Sequence, residues 1–455
     1  MSYLTRPFLG FIFALEPVWL PLFVIDVIAL VVMIFAERFN PRTLIFWISL
    51  VVIVPFAGIL LYLAFGSNLY TRWRLSGRKR SEDERFLEGE GDVPPEGDAV
   101  RVGCLESLGA DVYTSDNDVR FYWDRSEMTP DMVSDIRAAG ESVCLMARRM
   151  PKDSAGVHEA LIDAASRGVS VRVMTSAIGF GRTRDAGRLK RAGVSFHSFH
   201  NPLYSMFSIR PANRNLRAMT VIDGRIAYQG RGATVRVEGP AAERLERRFR
   251  ADWFHATGED LGTRGSPPER VGGGCGVQVV SDGPDTGDAY PMLSCYADLI
   301  SRSDRTLYMA FPYLLPNDDI YSTVKMAVVS GVDVRILLPR RGKHWYQSWN
   351  SLAASNPLMM VGAKVYFVDR MLGKCVIISD GRMCCVGSGD LSSRPLAQDL
   401  NAGCLVYSEE VASEAEAAFM RELENGVECL PEEYQRRSFA DVLKIGVARL
   451  LMFFN

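Results

Sequence analysis

Asn215-Leu-Arg-Ala-Met-Thr-Val-Ile-Asp-Gly-Arg-Ile-Ala-Tyr-Gln-Gly230 and Leu372-Gly-Lys-Cys-Val-Ile-Ile-Ser-Asp-Gly-Arg-Met-Cys-Cys-Val-Gly387 are two copies of one passage. Setting Asp223 on Asp380 aligns Gly224 with Gly381, Arg225 with Arg382 and Gly230 with Gly387, without a gap. Each copy has a β-branched-rich run, an Asp-Gly turn and a second apolar run, which predicts a β-hairpin in a buried sheet. Cys384 and Cys385 fall in the returning strand of the second copy, and the two-residue strand period sends them to opposite faces.

The repeat is wider than the hairpin. Gly168-Val-Ser-Val-Arg-Val corresponds to Gly331-Val-Asp-Val-Arg-Ile, and Ala192-Gly-Val-Ser-Phe to Gly362-Ala-Lys-Val-Tyr-Phe. A helix, a strand, a second helix and strand, then the hairpin make a duplicated α/β unit. The 455 residues leave room for two or three domains. The two copies are expected at 105–258 and 275–430, separated by a linker at 259–274 with Pro267-Pro268 and three consecutive glycines. A net charge of -2 and a pI near 6.3 give no global basic field, so no nucleic-acid partner is expected. Nine cysteines without paired short spacing read as buried, reduced thiols in a cytosolic domain. Five dispersed histidines and no tight carboxylate cluster predict neither a metal nor a cofactor.

The first 67 residues read as a membrane anchor. Apolar runs at about 18–36 and 44–65 each approach the ~20 residues that cross a bilayer, which predicts a transmembrane helical hairpin. Two runs without a small-residue cleavage site after the first argue against a signal peptide. Arg72, Arg74, Arg78, Lys79 and Arg80 follow the second run, so the positive-inside rule places the large domain in the cytoplasm. Asp26 within the first run is a functional candidate, or a group bonded to a neighbouring helix. Residues 68–104, basic and then acidic with Gly and Pro, read as a solvated tether. Residues 431–455 include an amphipathic stretch from Ser438, which either lies on a membrane surface or docks on the domain.

With these features the chain resembles bacterial cardiolipin synthases of the phospholipase D superfamily over nearly its whole length. Matching passages include Pro55-Phe-Ala-Gly-Ile-Leu-Leu-Tyr-Leu-Ala-Phe-Gly66, Asp252-Trp-Phe-His-Ala-Thr-Gly258, Phe311-Pro-Tyr-Leu-Leu-Pro-Asn-Asp-Asp319 and Leu338-Pro-Arg-Arg-Gly-Lys-His344. The resemblance implies two tandem phospholipase D-like α/β domains related by a pseudo-twofold axis, with both hairpins meeting at one site. Each repeat would supply His-x-Lys-(four residues)-Asp: one histidine attacks the phosphodiester, the other shuttles protons, the lysines hold phosphate and the aspartates orient the imidazoles.

This chain departs from that pattern in both halves. Counting back from Asp223, the histidine and lysine positions hold Leu216 and Ala218; from Asp380 they hold Gly373 and Cys375. Shifting the second register by one gives Leu372 and Lys374, with Ser379 in place of the aspartate. Neither leucine nor glycine carries a titratable proton, and loss of a nucleophile from a concerted unit costs on the order of a million-fold in rate. The expected function is therefore a membrane-anchored, non-catalytic partner, regulator or anionic-phospholipid-binding scaffold in phospholipid metabolism, a pseudoenzyme. It would pair with membrane phospholipids and with an active cardiolipin synthase paralogue or a second copy. The alternative is an active phosphatidyltransferase or phospholipase using relocated residues, with His197, His200 or Cys375 considered as substitutes. Arg148, Arg149, Arg217, Lys374, Ser388, Arg394 and His344 are the candidates for holding a lipid phosphate.

Overall fold

The computed structural model describes residues 27–28, 30–31, 41–54, 57–62, 86, 89–148, 150, 155–176, 186–199, 215–262, 270–283, 290–315, 318–342, 344–369, 371, 373–391, 399–432 and 437–452. They fall into two units, residues 1–75 with 206–211 and residues 76–205 with 212–455. In the first unit, helices α1 (Pro41–Ile53) and α2 (Ala57–Leu61) bury Trp47, Val51, Ile59 and Tyr62 together. Gly58 allows this close approach, since a Cβ there would lie 2.7 Å from the Val51 Cα. Among the described residues no helix is long and apolar enough to cross a membrane. The first expected span (18–36) lies almost wholly outside the described residues, as does Asp26. The second (44–65) is described as α1 and α2 as far as Tyr62, apart from residues 55 and 56.

The second unit carries the duplication in its strand order. The first repeat contains β1 (Tyr113–Tyr122), β2 (Ser142–Ala147), β3 (Ser170–Thr175), β4 (Ser195–Ser198), β5 (Met219–Ile222), β6 (Ile226–Gln229) and β7 (Thr234–Glu238). The second contains β8 (Cys275–Asp282), β9 (Thr306–Ala310), β10 (Asp333–Pro339), β11 (Lys364–Val368), β12 (Val376–Ser379), β13 (Met383–Gly387), β14 (Asn401–Tyr407) and β15 (Val427–Glu428). One mixed sheet runs β15-β11-β10-β9-β12-β13-β14-β8-β1-β7-β6-β5-β2-β3-β4. Outward from the antiparallel β1–β8 pair, the two halves follow the same sequence of strands, with β15 added at the outer end of the second.

Helices cover both faces of this sheet, as mixed α/β architecture requires. The first repeat supplies α4 (Arg125–Ala138), α5 (Ala155–Ser166), α6 (Ala186–Arg191) and α7 (Pro240–Thr257), and the second α8 (Pro291–Ser301), α9 (Asp318–Val329), α10 (Trp345–Met359) and α11 (Glu409–Glu424). On one face α7 and α11 bury Phe249, Trp253 and Phe419 against strand residues of both repeats, Cys384 among them. On the other face, Tyr296 and Leu299 of α8 pack with Met309, Ile336 and Cys385, while Ile136 and Leu161 fill the corresponding core of the first repeat. Cys384 and Cys385 thus enter cores on opposite sides, as strand alternation predicts.

Part of the stretch expected to be tether is ordered. Helix α3 (Ala99–Ser107), preceding β1, buries Val102 and Leu105, one helical turn apart, and Arg101 pairs with Asp298 at 2.6 Å. The sequence 68–104 is therefore not solvated throughout; the apolar pair and the ion pair fix its last residues to α8. Near the other end, α12 (Phe439–Met452) packs on α10, with Ile445 and Ala448 buried and the Asn350 side chain donating to the Ala448 carbonyl at 2.9 Å.

Both hairpin turns are built alike. Asp223 and Gly224 have φ of 50° and 60°, Asp380 and Gly381 of 55° and 64°. Two successive positive φ values match the twist of primed hairpin turns, where Asp-Gly is favoured. The Asp223 carboxylate accepts the backbone N–H groups of Gly140, Glu141 and Ser142, each at 2.8 Å. That of Asp380 accepts those of Asp304 (2.9 Å), Arg305 (2.7 Å) and Thr306 (2.9 Å). Burial works against ionisation of Asp380, but the N–H donors prevail and hold its pKa below the ordinary carboxylate value. Asp380→Ala is expected to lower stability near pH 7 by about 1–3 kcal/mol in urea unfolding. The contribution is present above the unfolded pKa of about 3.9 and lost as pH falls through the folded value, so the parent–variant difference should shrink below about pH 4.

Candidate functional site

The two hairpins begin at the same edge of the sheet, where Asn215 bridges to Leu400 and the Leu216 N–H donates to the Leu400 carbonyl at 2.8 Å. The Gln229 amide reaches the Ala402 carbonyl at 2.7 Å, and the Arg231 N–H donates to the Gly387 carbonyl at 3.3 Å. The start of the first motif is thereby tied to β13 and β14 of the second repeat. Strand pairing also fixes the motif register. Ile222 faces Ile226 and Ser379 faces Met383, so the hairpins superpose at the spacing that sets Asp223 on Asp380. The shifted register fails: Ser379 is buried against the hydroxyl of Ser303 at 2.8 Å, while Asp380 holds the turn. Leu372 lies outside the described residues.

The residue between the two motif positions points away from them in each copy. Arg217 is fully buried, its guanidinium 2.6 Å from Asp252 of α7 and bonded to the carbonyls of Asn401 (3.2 Å) and Asp282 (3.0 Å). Lys374 is equally buried, 2.8 Å from Asp124, 3.7 Å from Glu422 of α11, and 4.4 Å from the Trp123 ring centroid. The expectation that these two cations hold a lipid phosphate is corrected by this placement: both are directed into the α7–α11 layer and engaged there. Strand alternation carried the signal. If positions 216 and 218 face a cleft, 217 faces the other side.

The positions that the resemblance assigns to histidine and lysine carry apolar or buried side chains, or none. Leu216 is buried, Ala218 half-buried, and Gly373 has a φ of 63°. A Cβ at Gly373 would lie 3.2 Å from Nε of Arg231 and 3.3 Å from a terminal nitrogen of the same guanidinium. Arg231 sits between β6 and β7 and did not stand out in the sequence. Burial works to lower its pKa, yet Cys375 and the nearby Asp390, Tyr313 and Asp399 outweigh that and keep it above the ordinary arginine value. Cys375 is fully buried, and burial pushes its thiol up to about 12 despite the opposing influence of Arg231. A thiol with that pKa is not a nucleophile near neutrality.

The remaining candidates take structural places or fall outside the described residues. Ser388 is buried and accepts the Ala402 N–H at 3.1 Å. Asp390 accepts the Tyr313 hydroxyl at 2.6 Å. Arg148 stands half-buried just after β2; Arg149, Arg394 and His200 are outside the described residues. His344 is exposed at the start of α10, stacked on Tyr346, its N–H donating to the Gln347 side chain at 3.2 Å. His197 ends up edge-on to Trp253 at 5.0 Å, and burial together with Lys190 lowers its pKa. His158 and His255 are buried in α5 and α7. Asp223 and Asp380, implied to orient imidazoles, instead bind three backbone N–H groups each at the far end of the hairpins.

Comparison with known proteins bears on the same residues. Residues 296–423 match a family model described as cardiolipin synthase, PLD-like domain, and residues 24–67 one described as phospholipase D-nuclease N-terminal. Over these two segments the chain is similar to the cardiolipin synthase, PLD-like family. It is 25% identical to a cardiolipin synthase of Clostridium perfringens, covering 91% of this chain and 94% of that one. Cardiolipin synthase 2 of Staphylococcus epidermidis is 26% identical, over 94% and 96% respectively. The fold is shared with the phosphatidylserine synthase of Haemophilus influenzae at a TM-score of 0.54 and 12% identity, covering 74% of this chain and 94% of that one.

Two outcomes follow from the packing. Arg217→Ala should destabilise the chain by about 3 kcal/mol or more, because it strips a buried ion pair and leaves carbonyls unsatisfied. Headgroup preference of the folded fraction, measured by liposome flotation, should be unchanged. Gly373→His should cost about 1–3 kcal/mol through its left-handed backbone and the clash with Arg231. Adding Arg231→Gly should recover part of that loss in the same chemical-denaturation measurement.

Proposed function

We propose that this chain is a membrane-associated, non-catalytic relative of cardiolipin synthase that serves as a partner, regulator or anionic-phospholipid-binding scaffold. The observation that carries the reading is the occupancy of the four motif positions: Leu216, Ala218, Gly373 and Cys375, with the Arg231 guanidinium against Gly373. Phosphoryl transfer between two alcohols needs a nucleophile, a proton carrier and cations on the phosphate oxygens. None of the four side chains supplies any of these near neutral pH, since the one ionisable group among them is a buried thiol. In the same reading, residues 105–258 and 275–430 are the two phospholipase D-like halves. The apolar N-terminal runs hold the protein at a membrane with the large unit on the cytoplasmic side.

A second reading has its own support. The similar full-length chains are named cardiolipin synthases, which favours an active phosphatidyltransferase over an inert one. Such an enzyme would need imidazoles from elsewhere, with His197 and His200 the sequence-near choices. Incubation of the purified full-length protein with phosphatidylglycerol separates the two. The expected outcome is no cardiolipin and no free glycerol above a protein-free blank. Turnover that His197→Ala or His200→Ala abolishes would establish the enzyme and end the non-catalytic reading.

A further inference from the structure

Helix α12 has two unlike sides. Ser438 starts it, its hydroxyl accepting the Asp441 N–H at 3.3 Å and donating to the Asp441 carboxylate at 2.9 Å. Ile445 and Ala448 turn inward against α10 and are 6% and 0% exposed. Phe439, Val442, Leu443 and Val447 are 84%, 56%, 59% and 39% exposed. At 100° per residue those four fall within an arc of about 140°, on the side away from Ile445 and Ala448. Among the described residues nothing covers this stripe, and water is a poor neighbour for it.

Cations and aromatic rings border the stripe. The Lys444 amine lies 5.1 Å and the Arg437 guanidinium 5.8 Å from the centroid of Trp349 on α10. One turn earlier on the same side of α10, Trp345 is 52% exposed. Asp441, the acid within this stretch, is already engaged by Lys444 at 3.1 Å. Four side chains fall well short of the ~800 Å² per partner of a standard protein interface. An apolar stripe of Phe, Leu and Val flanked by Lys, Arg and Trp is instead the make-up of a helix lying in a headgroup layer.

We propose that the outer face of α12, with Trp345, is a second membrane contact that seats in the headgroup layer of an anionic lipid surface. The placement gives the contact a consequence. α10 begins just beyond the C-terminal end of β10, at the sheet edge where both motif hairpins start, so seating Trp345 brings that edge towards the lipid headgroups. The inference rests on the proposed function only for its membrane placement and is independent of whether the site turns over substrate.

The test uses the full-length chain reconstituted in phosphatidylcholine vesicles with or without phosphatidylglycerol. Cys104 is exposed and the other eight cysteines are buried, so Cys104→Ser gives a background for Val442→Cys, Leu443→Cys and, as control, Glu410→Cys, each carrying an environment-sensitive dye. Glu410, at the start of α11, lies at the opposite sheet edge. The expected result is that brominated phosphatidylglycerol quenches the dyes at 442 and 443 to about half or less, while the dye at 410 is unaffected. Phe439→Asp with Leu443→Asp should abolish quenching at 442 while the protein still floats with the vesicles through its N-terminal runs. Iodide access at 442 and 443 equal to that at 410 would overturn the proposal. Protection from iodide without lipid quenching would overturn it equally, because a protein surface, not lipid, would then cover the helix. Cardiolipin formation would sink the non-catalytic reading and leave this result standing, and failure to float would sink the membrane placement itself.

Discussion

Two buried cations hold the repeats together. Arg217 pairs with Asp252 on its own repeat's long helix and crosses to the Asp282 carbonyl of the second repeat. Lys374 lies near Glu422 on its own long helix and crosses to Asp124 of the first repeat. The arrangement is reciprocal between the two repeats. An unpaired charge at such depth would be strongly destabilising, whereas a paired and hydrogen-bonded one fixes geometry at little net gain. These pairs therefore act chiefly by setting how one half meets the other: only the arrangement that brings Asp252, Asn401 and Asp282 around Arg217 satisfies its donors.

This division explains how the fold persists beside an altered site. Along each hairpin the structural and chemical duties fall on different residues. The turn aspartates clamp backbone N–H groups at one end, the central cations join the halves on one face, and the His and Lys positions occupy the other face at the opposite end. Leu216, Ala218, Gly373 and Cys375, at the positions that the resemblance assigns to the last set, leave the first two untouched. Asp223 and Asp380 each serve the turn, accepting three backbone N–H groups apiece.

The duplication, the register and the hairpins were legible because an Asp-Gly turn flanked by β-branched runs leaves the backbone few alternatives. Cys384 and Cys385 went to opposite cores for the same reason, a strict period of two. That period also contained the correction for Arg217 and Lys374, whose positive charge suggested a cleft while their parity put them on the other face. Arg231 was harder to foresee. Its role depends on a left-handed glycine in the other repeat, distant in sequence, and no local pattern reports such a neighbour. Helix α3 was obscured by composition: the Gly- and Pro-rich acidic stretch before it resembles a tether, and only the Val102–Leu105 spacing and the reach of Arg101 to Asp298 mark an ordered end.

Electrostatics at the hairpin starts follow from these placements. In a catalytic arrangement two lysines would face the phosphate with the acids held back. Here both central cations are directed into the α7–α11 layer, and Arg231, against Gly373, is influenced by Cys375, Asp390 and Asp399. Beside α12, Arg437 and Lys444 lie over the ring of Trp349. At the hairpin starts, Leu216 and Cys375 are buried and the Arg231 guanidinium lies against Gly373.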